Sequence, residues 1–332
     1  AEKVLAELRL PLNFDGVELL PRASIGAALH PRDGANADEL LRAADAAMYA
    51  TKDDSRGSFR FFSPNLNAKA TRLVALQAEL ARAVERDEFI LHYQPQISVA
   101  DGSVVGCEAL LRWQHPTRGL LGPGEFVPLA EETGMIVPLG TWAIAEACRH
   151  LMELSPNGPQ APWVSVNLAS KQLMDPLLID VVDRALRSSG LDARRLRLEV
   201  TENVILPDEE GARRSLIALR DRGIGILMDD FGTGAASLSY LHRLPIGSIK
   251  IDRYFVGRMD VSTECLEIVR SVVALAKSLR MDVVAEGVEQ EAQLRQLKAM
   301  GCEHVQGFLL SHPLRPEETL PLLHPALRAA AS

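Results

Sequence analysis

The stretch Gly225-Ile-Leu-Met-Asp-Asp-Phe-Gly-Thr-Gly234 places an apolar run directly before two carboxylates and a glycine-rich turn. The run predicts a buried strand that ends at Asp229 and Asp230. Neighbouring side chains on a strand point to opposite faces, but Gly232 and Gly234 allow the backbone to turn there. Two carboxylates at one strand end suit Mg²⁺ or Mn²⁺, and a shared acid can bridge two ions. Alone, such a pair is more often a polar loop after a strand.

The composition is that of an ordinary soluble protein. The chain has 332 residues, of which 47% are hydrophobic and 5% aromatic, so one large domain or two unequal ones are possible. The formal net charge of −8 argues against a nucleic-acid polymer or an anionic membrane as a partner, because both are bound through clustered Lys and Arg. A small anionic ligand held through metal ions is compatible with this charge.

Cysteine spacing and hydropathy predict a cytoplasmic chain with no membrane contact of its own. The four cysteines are widely separated and form no Cys-x-x-Cys pair, which favours reduced thiols over disulfides or a zinc site. No stretch approaches the roughly 20 apolar residues of a membrane span. The chain starts at Ala1 without Met, so we expect a piece of a longer protein whose other segments could include a sensor or a membrane anchor.

The chain divides into three predicted regions, which are a small α+β unit at 1–62, a linker or first helix at 63–87 and the main domain at 88–332. In the small unit, a strand-like stretch up to His30 precedes a helix, for which Asn36 and Glu39 have the spacing of a capping box. A closing strand is predicted at 58–62. So short a unit has little core of its own, which indicates the remnant of a larger domain.

Beyond residue 88, short apolar runs alternate with longer helical patterns, as in repeated βα units. Eight strands are predicted, at Phe89–Gln94, Val104–Arg112, Val164–Asn167, Leu196–Val200, Gly225–Asp229, Ser248–Ile251, Asp282–Ala285 and His304–Phe308. This pattern fits an α/β fold of the (β/α)8 TIM-barrel type. The alternative is a doubly wound open sheet, but the sequence has no Gly-x-Gly-x-x-Gly or P-loop pattern to support it.

Polar side chains stand at the predicted strand ends, where the functional residues of a barrel collect. They are Glu108, Arg112, Asn167, Glu199, Asp229, Asp230, Lys250, Glu286 and Gln306. Each alone has a bland explanation, such as a surface ion pair for Arg112 or a helix cap for Asn167. Together, the carboxylates would repel one another unless cations neutralise them. Because histidine is nearly absent from these positions, oxygen-bound Mg²⁺ or Mn²⁺ is favoured over zinc.

An Arg and a Lys beside hard metal ions indicate a phosphate ester as the ligand. Metal ions can lower the pKa of a bound water, and Arg112 can grip a phosphate oxygen through two hydrogen bonds. The predicted reaction is the hydrolysis of a phosphodiester. The main competing barrel chemistry is that of a two-carboxylate glycosidase, which predicts activity without added metal.

Seven motifs, taken in order, resemble those of the EAL-domain phosphodiesterases that hydrolyse cyclic di-GMP, a bacterial second messenger. They are Glu108-Ala-Leu-Leu-Arg112, Val166-Asn-Leu-Ala-Ser170, Glu199-Val-Thr-Glu202, Asp229-Asp-Phe-Gly-Thr-Gly234, Lys250-Ile-Asp252, Glu286-Gly-Val-Glu289 and Gln306-Gly-Phe308. The resemblance covers residues 70–320 and implies a (β/α)8 barrel with an antiparallel first strand. It also implies cyclic di-GMP as substrate, linear pGpG as product and two Mg²⁺ or Mn²⁺ ions per site.

The resemblance implies a role for each matching position. The implied metal ligands are Glu108, Asn167, Glu199 and Asp229, with Asp229 bridging to a second ion that Asp230 also holds. The residues implied to position or activate the attacking water are Lys250, Glu286, Asp230 and Gln306. Those implied to contact cyclic di-GMP are Gln94, Leu110 and Arg112. Those implied to organise loops are Glu202 and Glu289.

Residues 1–62 resemble the end of a GGDEF domain. The resemblance rests on Ala23-Ser-Ile-Gly26, Ala37-Asp-Glu-Leu-Leu41 and Ala44-Asp-Ala-Ala-Met-Tyr49. The signature motif of that domain and its nucleotide-binding half are absent from this sequence. We therefore expect no synthesis of cyclic di-GMP by this chain.

Three positions depart from the usual EAL pattern. Ala235 and Ala236 replace an aromatic and a small polar residue, and Gly247 stands where an Asp is common before Lys250. The resemblance implies that the loop from Asp230 to Leu238 links the metal site to a homodimer interface, so loss of the aromatic there could weaken that coupling. Gly247 could instead loosen the loop that enters the strand of Lys250. None of them removes an implied metal ligand, which favours a competent enzyme. The alternative is an inactive EAL domain that serves as a cyclic di-GMP receptor.

Overall fold

The chain forms two compact units, Ala1–Arg82 and Ala83–Ser332. The structure is a computed structural model, and it describes residues 1–8, 12–14, 17–19, 23–54, 59–63, 76–155, 158, 161–232 and 243–323. Within these ranges, no helix combines the length and the apolar content that a membrane crossing requires. The expectations for Gly234, Ala235 and Ala236 fall outside the described residues.

The first unit contains short strands and one long helix. Its elements are α1 (Glu2–Leu8), β1 (Leu12–Phe14), β2 (Val17–Leu19), β3 (Ile25–Ala27), α2 (Ala37–Asp54) and β4 (Phe59–Phe61). The predicted cap of α2 is present, because the Glu39 N–H donates to Asn36 Oδ1 over 3.0 Å and Asn36 Nδ2 donates to Glu39 Oε1 over 2.9 Å. Strand β3 pairs in parallel with β4. A side chain at Gly26 would collide with the α2 backbone at Ala44 and Met48, so glycine allows this close packing.

The second unit alternates strands with helices after a helical segment at 76–83, of which only Ala83 lies in this unit. Its strands are β5 (Phe89–Ser98), β6 (Val104–His115), β7 (Gly119–Leu121), β8 (Trp163–Asn167), β9 (Leu196–Thr201), β10 (Gly225–Phe231), β11 (Ser248–Ile251), β12 (Asp282–Ala285) and β13 (His304–Val305). Its other helices are α3 (Pro123–Thr133), α4 (Ile136–Leu154), α5 (Ser170–Leu173), α6 (Leu178–Ser189), α7 (Glu202–Ile205), α8 (Glu209–Arg220), α9 (Arg253–Val256), α10 (Thr263–Leu279), α11 (Glu291–Met300) and α12 (Pro316–Leu323).

Eight of these strands close into a barrel. Among the described residues, the sheet order is β5-β13-β12-β11-β10-β9-β8-β6-β7, and an additional pairing of β5 with β6 closes the ring and leaves β7 outside it. Strand β5 runs antiparallel to both of its neighbours, whereas the pairings from β6 through β8 to β13 are parallel. The predicted α/β barrel with an antiparallel first strand is confirmed.

The first and last strands of the barrel differ in length from the sequence prediction. The last strand ends at Val305, whereas the sequence pattern extended it through Gln306 to Phe308, and this extension is wrong. The chain turns there because the Leu310 N–H donates to the Gly307 carbonyl and Gly307 packs directly on the Val288 backbone. The first strand is longer than predicted, since its pairing with β6 continues past Pro95.

Side chains alternate along the barrel strands between the outer core and the interior. On β9, Leu196, Leu198 and Val200 are fully buried in the core that the helices share. Arg197 and Glu199 lie on the opposite face, because successive strand residues point in opposite directions. Polar interior side chains of the parallel strands are therefore brought toward the same barrel end.

The cysteines are free thiols in the core, as the sequence predicts. The four buried residues are Cys107, Cys148, Cys265 and Cys302. Burial raises the pKa of Cys107, Cys148 and Cys302 to about 12. These thiols therefore stay protonated near neutral pH and serve as packing groups.

Candidate active site

Lys250 lies at the centre of a group of acids at the carboxyl end of the barrel. Its Nζ is 2.5 Å from Glu199 Oε2, 2.5 Å from Glu286 Oε1, 3.3 Å from Glu108 Oε2 and 3.4 Å from Asp229 Oδ1. The Lys250 side chain is only 1% exposed. These five residues come from β6, β9, β10, β11 and the end of β12, and we call them the charged cluster. One ammonium thus faces four carboxylates in a nearly dry site.

Glu108 is the carboxylate with the most hydrogen-bond donors. Gln306 Nε2 donates to Glu108 Oε2 over 2.7 Å, and Asn167 Nδ2 donates to Glu108 Oε1 over 2.9 Å. Burial would raise the pKa of Glu108, but the charge of Lys250 and the hydrogen bonds from Gln306 and Asn167 outweigh it, so the pKa lies below its ordinary value. Glu108 is therefore held in its charged form.

The other carboxylates are less well compensated. Burial, together with the negative charge of Glu108, raises the pKa of Glu199 well above its ordinary value. Burial also raises the pKa of Glu286 to about 8, although the charge of Lys250 opposes the shift. For Lys250, burial would lower the pKa, but the surrounding carboxylates raise it well above its ordinary value. The acids compete for one positive charge.

Asp230 lies beside the charged cluster and has an unusual backbone conformation. Its φ of 54° is in the left-handed region, and its N–H donates to Asp229 Oδ1 over 2.9 Å. This turn brings the neighbouring acids to one strand end, as the glycine-rich sequence predicts. Burial and the charges of Asp229 and Asp252 raise the pKa of Asp230 to about 6. Asp252 is an acid of this site whose role the sequence did not reveal.

The residues proposed from the sequence to contact a ligand extend along two strands. Leu110 and Arg112 follow Glu108 at alternate positions of β6, so the three share one face. Arg112 is half-buried, and its Nη1 donates to the Leu111 carbonyl over 2.8 Å. Gln94 is buried directly opposite Glu108 in the β5–β6 register. The structure therefore brings Gln94, Leu110 and Arg112 to the same wall as Glu108.

The two loop residues lie farther from the charged cluster. Glu202 is half-buried and is the first residue of α7, directly after β9. Glu289 is exposed, and its backbone N–H donates to Gln293 Oε1 over 2.8 Å. Neither is among the carboxylates within 4 Å of Lys250 Nζ. Their roles remain predictions from the resemblance.

Sequence reasoning missed the buried Gln96 and the half-buried Trp163, which are linked to the charged cluster through Gln306. Trp163 Nε1 donates to Gln96 Oε1 over 2.8 Å, and Gln96 Nε2 donates to Gln306 Oε1 over 3.0 Å. Gln96 is completely buried, two residues beyond Gln94 on the same face of β5. Because side chains alternate along a strand, the position of Gln94 could have indicated that Gln96 also faces the barrel interior. We call three hydrogen-bonded amides and the indole that donates to them the amide chain, which consists of Gln94, Gln96, Gln306 and Trp163.

The donor set suits hard divalent cations, which bind oxygen. Glu199 Oε1 is buried and has no hydrogen-bond partner in the structure, so this carboxylate oxygen is left uncompensated. In the described part of the chain, no three His, Cys, Asp or Glu side chains already have the spacing of a metal site. When all four acids are ionised, they outnumber the one ammonium, and cations would offset the excess of negative charge.

Family models match both parts of the chain. The model described as "EAL domain" matches residues 77–313. The model described as "Diguanylate cyclase, GGDEF domain" matches residues 1–58. Both resemblances seen in the sequence are thereby confirmed.

Named relatives and a solved structure give the same family. The bifunctional diguanylate cyclase/cyclic di-GMP phosphodiesterase MucR of Pseudomonas aeruginosa is 44% identical over 321 residues, which are 96% of this chain and 47% of the relative. The cyclic di-GMP phosphodiesterase PdeR of Escherichia coli is 36% identical over 314 residues, 95% of this chain and 47% of the relative. This chain thus spans about half the length of these relatives.

One solved structure is matched by this chain over almost its entire length. The structure described as "PaMucR Phosphodiesterase, c-di-GMP complex" is 42% identical, has a TM-score of 0.70, and is matched over 74% of this chain and 99% of its own length. The identity is high enough to carry the family as well as the fold. The chain belongs to the EAL domain family and carries a GGDEF-family segment at residues 1–58.

Proposed function

We propose that the barrel hydrolyses cyclic di-GMP to linear pGpG with the help of divalent metal ions. The single observation that carries this proposal is the charged cluster, in which four EAL-motif carboxylates share one buried ammonium. The names of MucR and PdeR as cyclic di-GMP phosphodiesterases support the substrate. The PaMucR phosphodiesterase structure is a complex with c-di-GMP, which supports binding of the same ligand by this chain.

Specific oxygens of this chain would hold Mg²⁺ or Mn²⁺. We assign one ion to Glu108, Asn167, Glu199 and Asp229, and a second ion to Asp229 and Asp230. When bound, such ions supply Lewis-acid activation of a water and offset the charge of the phosphate. Asn167 turns its amide nitrogen to Glu108, which leaves its oxygen for this purpose.

The proposed reaction breaks one phosphodiester bond. The oxygen of a water forms a bond to phosphorus, and the bond from phosphorus to the 3′ oxygen breaks. The 3′ oxygen leaves as a hydroxyl with a proton from bulk water, and the proton of the attacking water is returned to bulk water at the end of the cycle. Lys250 positions the water, and the Glu286 carboxylate accepts its proton.

The remaining residues bind and orient the substrate. Arg112 offers a guanidinium to a phosphate oxygen, and Gln94 and Leu110 line the wall that the dinucleotide contacts. Gln306 holds Glu108, so its effect on the water is indirect. We assign Glu202 and Glu289 to the ordering of the loops after their strands.

We also propose that this part of the protein acts in the cytoplasm as a homodimer. Buried free thiols suit a reducing compartment. The dimer contact is assigned to the loop from Asp230 to Leu238, of which residues 233–238 lie outside the described part of the chain. Size-exclusion chromatography with light scattering, with and without Mg²⁺, checks the assembly; a monomer under both conditions contradicts it.

The proposed activity is tested with cyclic di-GMP, Mg²⁺ and Glu108→Ala. The unaltered chain is expected to release linear pGpG, and the variant is expected to lose about 100-fold or more in rate because it lacks a metal ligand. Nucleotides separated by chromatography give both rates. Glu264→Ala changes an exposed acid of α10 and serves as the matched control, with no change in rate expected.

Three outcomes would contradict the proposal. Tight binding of cyclic di-GMP without cleavage by the unaltered chain would favour a receptor. Full activity of Glu108→Ala would remove the charged cluster from the reaction. Full activity in a chelator would favour chemistry that needs no metal.

A further inference from the structure

A continuous line of hydrogen bonds runs through the barrel interior to Glu108. Trp163 Nε1 donates to Gln96 Oε1 over 2.8 Å, and Gln96 Nε2 donates to Gln306 Oε1 over 3.0 Å. Gln306 Nε2 then donates to Glu108 Oε2 over 2.7 Å. Gln96, Gln306 and Glu108 are 0%, 4% and 6% exposed, so water has little access to compete with these bonds. The line joins the charged cluster to an indole that sequence reasoning did not connect with it.

The direction of this line is fixed at both ends by chemistry. An indole nitrogen can only donate, and a carboxylate can only accept. Gln96 must therefore turn its oxygen to Trp163 and its nitrogen to Gln306. For the same reason, Gln306 must turn its nitrogen to Glu108. A flipped amide at either position would bring two acceptors or two donors together in a buried site.

A side branch agrees with this direction. Gln306 Nε2 also donates to Gln94 Oε1 over 3.0 Å, and Gln94 Nε2 donates to the Ser311 carbonyl over 3.1 Å. A backbone carbonyl only accepts, so Gln94 has its orientation fixed independently of Glu108. Gln94 Oε1 and Glu108 Oε2 are both acceptors, so both require the nitrogen of the Gln306 amide to point toward them.

Neighbouring residues hold the indole at the start of the line. Gly106 is paired with Gln96 on one side and with Trp163 on the other. A β-carbon at Gly106 would overlap the indole, so glycine makes the space into which it fits. The Arg197 guanidinium lies 3.5 Å from the centre of the ring, and His304 packs against it edge-on at 5.2 Å. The Trp163 indole N–H is therefore held in position by the packing of Gly106, Arg197 and His304 around the ring.

We propose that Gln96 and Trp163 are positioning residues that set the Gln306 amide with its nitrogen toward Glu108 and thereby hold the Glu108 carboxylate ready for a divalent cation. The inference rests on the proposed function of the charged cluster as a metal site. The hydrogen bonds of Gln96 and Trp163 in this line go to Gln306 and to each other, not to a proposed metal ligand. Without the donor from Gln96, the Gln306 oxygen loses its buried partner and the amide is held only through its nitrogen, at Glu108 and Gln94, so it holds the Glu108 carboxylate less firmly.

Gln96→Met tests this role most simply, because it keeps the approximate volume and removes both polar atoms. Metal-free protein is titrated with Mn²⁺ alone by calorimetry, and the side-chain NH₂ signals of Gln306 are followed in ¹H–¹⁵N spectra. We expect about 10-fold weaker Mn²⁺ binding and displaced Gln306 signals. Gln114→Met alters an exposed glutamine on β6 and is the matched control, for which neither readout should change.

A double-mutant cycle separates positioning from general support of the fold. If Gln96 acts through Gln306, the pair Gln96→Met and Gln306→Ala loses no more Mn²⁺ affinity than Gln306→Ala alone. Losses that add together would contradict the proposal. Trp163→Phe keeps a ring against Arg197 and removes the indole N–H, so it provides a milder second variant if Gln96→Met does not fold. Its Gln306 signals should also move.

The outcomes distinguish this inference from the proposed function. Equal Mn²⁺ affinity and unmoved Gln306 signals in Gln96→Met, or in Trp163→Phe, would overturn the positioning role even if cyclic di-GMP is cleaved. Conversely, an unaltered chain that binds Mn²⁺ but leaves cyclic di-GMP intact would contradict the proposed function alone. Weaker Mn²⁺ binding with displaced Gln306 signals in the variants of such a chain would still support positioning.

Discussion

The two sides of Glu108 are held by different physical means. On one side, the charged cluster depends on the balance between Lys250 and the carboxylates around it. On the other side, the amide chain is neutral and depends on which atom of each side chain donates. The charged side should respond to pH and to cations, whereas the neutral side should respond to shape and hydrogen-bond direction. Substitutions on each side can therefore separate the two.

The largest effect is expected for Lys250→Met, which removes the only ammonium of the charged cluster. Breaking a buried ion pair typically costs about 3–5 kcal/mol, because the partner charges stay buried. The free energy of unfolding in urea should fall by about this amount in a chelator. Mg²⁺ should restore part of it by supplying another positive charge.

Lys298→Met is the control for this substitution, since Lys298 is exposed on α11. Its unfolding should match that of the unaltered chain with and without Mg²⁺. A loss for Lys250→Met that is the same in Mg²⁺ and in chelator would show that the cluster does not take up cations in place of the ammonium.

A smaller effect is expected from pH, through Glu286. Burial raises its folded pKa from 4.5 to about 8, so between these values the folded chain binds more protons than the unfolded chain. This group therefore stabilises the metal-free protein fully below pH 4.5, and its contribution is lost as pH rises through about 8. Glu286→Gln removes this contribution, so the variant should lose less stability than the unaltered chain between pH 6 and 8.

Urea midpoints at the two pH values, measured in a chelator, check this prediction. Glu264→Gln provides a matched exposed site, and its pH dependence should equal that of the unaltered chain. An unchanged pH dependence in Glu286→Gln would mean that Glu286 is not the group that titrates in this range.

The smallest of the three effects is expected on the neutral side, for Gly106→Ala. The added β-carbon would displace the Trp163 indole from Gln96. Overpacking of this kind typically costs about 1–3 kcal/mol. Because no charge changes, the loss in the urea midpoint should be equal at pH 6 and pH 8 when both are measured in a chelator. A loss that varies with pH would mean that the amide chain and the charged cluster are not separable.

Sequence patterns were sufficient for the barrel and for one side of the site. Apolar runs ending in Glu199, Asp229 or Lys250 predict both a strand and a polar strand end, since both signals lie within a few consecutive residues. The turn at Asp230 could also be expected from the glycines that follow it. Its positive φ and its closeness to Asp252 required coordinates.

The neutral side could not be predicted in the same way. Gln96 and Trp163 are 67 residues apart in sequence and meet only through the registers that place Gly106 between them. A single sequence does not specify register between strands that are distant along the chain. A tryptophan at the start of an apolar run is also read first as a core residue. The orientation of the Gln96 and Gln306 amides can be assigned only when the donor at one end, Trp163, and the acceptor at the other end, Glu108, are both known.

The most direct test of the proposed activity is cleavage of cyclic di-GMP in ¹⁸O-labelled water with Mg²⁺. Mass spectrometry of the unaltered chain's product should show linear pGpG with one ¹⁸O on its 5′ phosphate, because the water oxygen forms the new bond to phosphorus. In a chelator, this labelled product should be absent. Recovery of intact cyclic di-GMP in Mg²⁺, or a linear product without the label, would contradict a hydrolytic role for the site.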